Sequence, residues 1–67
     1  MWNLEGLRVS AVYMEEFPVV GQVVLSRVAL GGRVKHTVVL DEPIEVYGNM
    51  RDRLIIEHQT VTRVQSN

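Results

Sequence analysis

Phe17-Pro18-Val19-Val20-Gly21-Gln22-Val23-Val24-Leu25-Ser26-Arg27-Val28 is the stretch that sets the fold class. Side chains of a strand alternate between its two faces. In that register Val19, Val23 and Leu25 fall on one face, and Val20, Val24 and Val28 on the other, with Gly21 and Ser26 between. Valine is stiff at χ1, which penalises it in a helix and suits it to a half-buried pleated surface. The stretch therefore predicts a long strand that is apolar on both faces, unlike one that turns a face to water. Gly21 has no Cβ, and its position predicts a bend, where a bulge or a second backbone comes close.

The pattern continues on both sides. Leu7–Met14 turns Leu7, Val9, Ala11 and Tyr13 one way, and Arg33–Leu40 sets Val34, His36, Val38 and Leu40 opposite Arg33, Lys35, Thr37 and Val39. Ile44–Tyr47, Arg53–His58 and Val61–Gln65 complete the period of two. Thirteen Val, three Ile and three Thr against two Ala favour strands throughout. Breaks fall at Glu15-Glu16-Phe17-Pro18, Gly31-Gly32, Asp41-Glu42-Pro43 and Gly48-Asn49-Met50-Arg51-Asp52. Gln59-Thr60 is too short for a loop and predicts a single 3₁₀ turn between two nearly continuous strands. The first six residues are expected to form a fragment of helix or an extended arm. The expected fold is all-β: a small, five-stranded, strongly bent antiparallel barrel, with residues 1–67 as a single domain.

Composition narrows the function classes. Seven Lys and Arg against eight Asp and Glu give a net charge of −1, which argues against a generally basic nucleic-acid coat or a polybasic membrane anchor. There is no Cys to supply a disulfide or a thiolate ligand. No apolar stretch approaches the ~18 residues of a membrane span, and the N-terminus lacks a basic and then apolar leader. A cytoplasmic module is expected. No Gly-x-Ser-x-Gly elbow occurs, Gly31-Gly32 lacks the Lys-Ser/Thr of a phosphate loop, and neither His36 nor His58 has a metal-pair spacing. The expectation is a non-enzymatic protein with no cofactor and no metal. Strands apolar on both faces, in a chain without disulfide or metal staples, point to a partner surface and hence to self-association.

Leu54-Ile55-Ile56-Glu57-His58-Gln59-Thr60-Val61-Thr62-Arg63-Val64 carries a more specific signal. The apolar spacing of Ile56, Val61 and Val64 resembles the second Sm motif of Sm-like proteins, in which an Arg-Gly pair follows the first apolar position. Gly21-Gln22-Val23 resembles the Gly-x-Leu of the first motif, and Leu7–Met14 the opening strand. The same spacing suits an SH3-like barrel. The chain looks most like the short Sm-like proteins attributed to cyanophages, on Tyr13-Met14-Glu15-Glu16-Phe17-Pro18, Ser26-Arg27-Val28 and His36-Thr37-Val38-Val39-Leu40-Asp41-Glu42-Pro43. The resemblance implies a short N-terminal helix before five bent strands. It also implies a homo-oligomeric ring, a pentamer in the phage case, in which the fourth strand joins the fifth strand of the next subunit. Leu54, Ile55, Ile56, Val61 and Val64 would then serve the oligomer interface. RNA binding, in a host cell during phage infection, is the function the resemblance implies.

The family's RNA-binding residues do not transfer. Arg27, Leu30 and Gly31 stand at the positions of its Asp-x-x-Met-Asn run, and Glu57-His58 at its Arg-Gly. A carboxylate cannot replace a guanidinium that donates several hydrogen bonds. The remaining RNA-binding candidates are Arg27, Arg33, Lys35 and His58, with Arg51 and Arg53 nearby and Tyr13, Tyr47 or Trp2 as stacking surfaces. His58 is expected at the short turn and open to a base or phosphate. His36, among apolar residues, is expected to be half-buried with one hydrogen bond. The rival reading is a ring-shaped scaffold for a host or viral protein, since Glu57-His58 weakens RNA binding without harming a ring.

Overall fold

The computed structural model describes residues 2–65. Five strands are present: β1 (Arg8–Tyr13), β2 (Phe17–Val28), β3 (Val34–Val46), β4 (Asn49–Glu57) and β5 (Val61–Gln65). Two 3₁₀ turns, η1 (Leu30–Gly32) and η2 (His58–Thr60), join β2 to β3 and β4 to β5. All pairings are antiparallel, and the order across the sheet is β4-β3-β2-β1-β5. No helix among the described residues is long and apolar enough to cross a membrane.

The topology dictates the shape. β4 and β5 lie at opposite edges of the sheet, yet only the three residues of η2 separate them in sequence. A chain spans at most about 3.5 Å per residue, so the two edges must approach each other at η2. The sheet is therefore curled like a barrel, and it stays open between β4 and β5. Its concave face holds Leu4, Val9, Ala11, Val19, Val23, Val38, Leu40, Leu54 and Ile56 as one buried cluster, with Leu7, Tyr13, Phe17, Ile44 and Val61 packed against it.

Gly21 supplies the tightest point of the curl. It pairs with Val9 on one side and Leu40 on the other. A Cβ there would run into Val39 O and would stand 2.8 Å from Val38 Cγ1 and 2.9 Å from Leu40 Cα. Only glycine allows the two backbones to lie this close.

Of the two forms expected for the first six residues, the described ones take the arm and not the short helix that the resemblance implies: Gly6 N–H donates to Val23 O at 2.8 Å, Val23 N–H to Leu7 O at 2.9 Å, and Leu4 enters the core. Three other expectations are corrected. Asp41-Glu42-Pro43 bends β3 but does not end it. The β3–β4 pairing jumps from Val39↔Arg53 to Ile44↔Arg51, which leaves Pro43 out of the ladder it cannot join. The polar connection after β3 shrinks to Tyr47-Gly48, with left-handed φ of 49° and 83°, and Asn49–Asp52 belongs to β4. Finally, a bulge between Val23 and Leu25 shifts the alternation of β2, so Val24 and Leu25 both face outward and Ser26 faces inward.

Candidate nucleic-acid interface

The cross-strand register gathers the basic candidates. Arg27 on β2 pairs with Lys35 on β3, and Lys35 pairs with Glu57 on β4. Arg33, at the exit of η1, reaches the same Glu57, with Nη1 3.5 Å from Oε1. Glu57 Oε2 accepts a hydrogen bond from Gln59 Nε2 at 3.0 Å. Arg33, Glu57 and Gln59 line a shallow groove of about 310 Å³ together with Gly32, Val34 and His58. η1 and η2, the two loops that bracket the long β3–β4 hairpin, thus form one site. The Arg33 side chain is 74% exposed, so its ion pair with Glu57 holds it only weakly and leaves its donors accessible. Among the described residues neither Arg27 nor Lys35 has an ion-pair partner.

His58 stands at the inner wall of this groove, but half of its chemistry is already committed. Its Nδ1 lies 2.8 Å from His36 Nε2, and His36 Nδ1 lies 2.7 Å from Ser26 Oγ. Ser26 Oγ also accepts the Leu4 N–H at 3.0 Å, and the Ser26 N–H donates to Glu5 Oε2 at 2.8 Å. His36 is completely buried, not half-buried, and both its ring nitrogens are bonded, where one bond was expected. Burial, followed by the neighbouring His58, holds His36 below the usual imidazole range, because a buried charge is poorly solvated.

Hydrogen-bond counting assigns the tautomers. The Ser26 hydroxyl hydrogen has no acceptor among the described residues other than His36 Nδ1 and is directed there, while Oγ accepts the Leu4 N–H. His36 then carries its proton on Nε2 and donates to His58 Nδ1. Nε2 is the one polar atom that His58 has left for the groove.

The other predicted residues divide between core and surface. Leu54 and Ile56 are each 3% exposed and belong to the chain's own core, and Val61 packs against that core. Their side chains are spent inside the subunit. Ile55 and Val64 remain outside, at 55% and 46% exposed, on the two edge strands. Tyr47 sits at the far end of β3 from η1, where its ring meets Phe17 edge-on at 5.9 Å and its hydroxyl donates to Glu16 at 3.3 Å. It cannot stack on a base held at the groove. Arg51 and Arg53 line a separate depression with Tyr13, Thr37, Leu54 and Ile55. Trp2 is partly exposed on the arm.

Sequence reasoning missed Ser26, Glu57 and Gln59 as members of this site. Ser26 was invisible because only the bulge turns it inward. The alternation did place His36 on the core face, and a core imidazole demands partners. The partners themselves lie 10 and 22 residues away and meet His36 only once the sheet has curled. No family model, curated protein or solved structure matches the chain.

Proposed function

We propose that this chain is a non-enzymatic, Sm-like RNA-binding module that self-associates through its sheet edges and holds single-stranded RNA at the η1–η2 groove. The observation that carries the reading is a groove lined by Arg33, His58 and Gln59, with the cross-strand row Arg27–Lys35–Glu57 running into it at Glu57. Arginine and lysine donors suit phosphate, while Gln59 and the free His58 Nε2 can bond base edges. Unpaired nucleic acid, with exposed base edges and a flexible backbone, fits a shallow open site better than a duplex does.

Self-association follows from the two edges. β4 pairs only with β3, and β5 only with β1, so each presents an unpaired ladder among the described residues. Ile55 and Val64 add exposed apolar surface beside these edges. Pairing β4 of one copy with β5 of the next would satisfy both ladders and close a ring, a pentamer if the phage resemblance holds. A ring repeats each small basic groove around one face, which turns weak contacts into useful affinity.

The test is fluorescence anisotropy of a labelled single-stranded RNA oligomer titrated with protein at low and at moderate salt. Submillimolar binding that weakens with salt, and that is lost in Arg33→Glu with Lys35→Glu, supports the reading. No binding at low salt refutes it. One observation favours the protein-scaffold reading: Leu25, Thr37 and Ile55 lie in one cross-strand row, and Leu25 and Ile55 are about half exposed. An apolar row of this kind suits a host or viral protein surface better than RNA.

A further inference from the structure

We propose that Ser26, His36 and His58 form a proton-binding site whose occupation releases the His58–Thr60 turn from β3. The inference concerns the fold of the chain itself and stands whether or not the groove binds RNA.

The neutral relay has one polarity in which every member is satisfied. Leu4 N–H donates to Ser26 Oγ, Ser26 O–H to His36 Nδ1, and His36 Nε2–H to His58 Nδ1. The Ser26 hydroxyl sets that direction, because its hydrogen has no acceptor among the described residues other than His36 Nδ1. An imidazolium has two N–H donors and no acceptor. A proton added to His58 therefore sets its Nδ1–H against His36 Nε2–H. His36 can answer by moving its own proton to Nδ1, but Ser26 O–H then loses its acceptor in a position only 6% exposed. A proton added to His36 collides with Ser26 O–H in the same way and places a charge at a residue with no solvent access. The arrangement that avoids both is His58 swinging into the groove, where water solvates its charge.

The surroundings do not rescue the protonated state. Glu5 on the arm is engaged by Ser26 N–H, and Glu57 on β4 by Arg33 and Gln59. Arg33 lines the same groove as His58 and adds positive charge there. β1 and β5 contribute Val9, Ala11 and Val61 to this core. The turn is also lightly held. It has no side-chain N-cap, and its local bonds are Thr60 Oγ1–H to Glu57 O at 2.7 Å and Val61 N–H to His58 O. The His36–His58 bond joins it to the sheet.

The test is a pH series from 8 to 5 on the ¹⁵N-labelled chain, reading imidazole nitrogen shifts and amide protection factors. At pH 8 His36 should be in the Nε2–H form with Nδ1 unprotonated. Below about pH 6.5, protection of the Val61 amide should fall by roughly tenfold per pH unit, the slope of one coupled proton. One variant should remove that dependence while keeping the turn protected: His58→Asn keeps an acceptor for His36 Nε2–H but takes no proton. Protonation of His58 in the wild type with the His36 tautomer and Val61 protection both unchanged overturns the proposal. So does an undiminished pH dependence in His58→Asn.

Discussion

Two corners tie the curled sheet together, and they do so by opposite means. At one, Ser26, His36 and His58 join β2, β3 and η2 through a polar chain in which every buried side-chain polar atom is bonded. At the other, Tyr47 crosses from the β3–β4 turn to Phe17 and Glu16 through an exposed ring and an exposed hydrogen bond. Nearby, Met14, Glu15 and Tyr47 all hold left-handed φ of 49–59°, which side chains adopt reluctantly. Both corners combine a side-chain hydrogen bond with a ring contact. Burial makes the first hard to break and sensitive to protons, while water makes the second replaceable.

The largest effect should come from breaking the buried corner. His36→Ala leaves a cavity and strips partners from Ser26 and His58, and is expected to destabilise the chain by on the order of 3 kcal/mol in urea unfolding. Acid should act on the same corner without mutation. The fold holds His36 below the 6.5 of an unperturbed imidazole, so the unfolded chain binds more protons in that window. Stability is therefore complete above pH 6.5 and should decline as pH falls below it, with the decline absent in His36→Leu.

Changes at the exposed corner should be smaller and of the other sign. Met14→Asn with Glu15→Gly suits the left-handed turn and is expected to stabilise by about 1 kcal/mol. Tyr47→Phe keeps the contact with Phe17 and loses only the bond to Glu16, whose charge and hydrogen bond hold the phenol above its usual range. Its unfolding midpoint should match wild type. A large loss there would erase the distinction between the corners.

The contrast also marks what could be read before folding. Alternation identified the strands, Gly21 as the point of close approach, and the 3₁₀ turn at Gln59-Thr60, because each depends on local sequence. It failed where a partner strand decides. The bulge at Val24, which reverses Leu25 and Ser26, exists only against β3, and the passage of β3 through Asp41-Glu42-Pro43 depends on β2 and β4 together. Of the site, the basic residues were legible as charges, and their convergence was not. Leu54 and Ile56 were read as interface residues from a resemblance in spacing, and the curl of the sheet instead places their side chains in the core.

Self-association depends on the open edges of β4 and β5 finding partners. Light scattering on the purified chain at tens of micromolar tests this most directly. A mass that is a discrete multiple of 7.6 kDa, falling toward one copy when Ile55→Lys and Val64→Lys are combined, is the predicted result. A mass of 7.6 kDa for the wild type across that concentration range would contradict it.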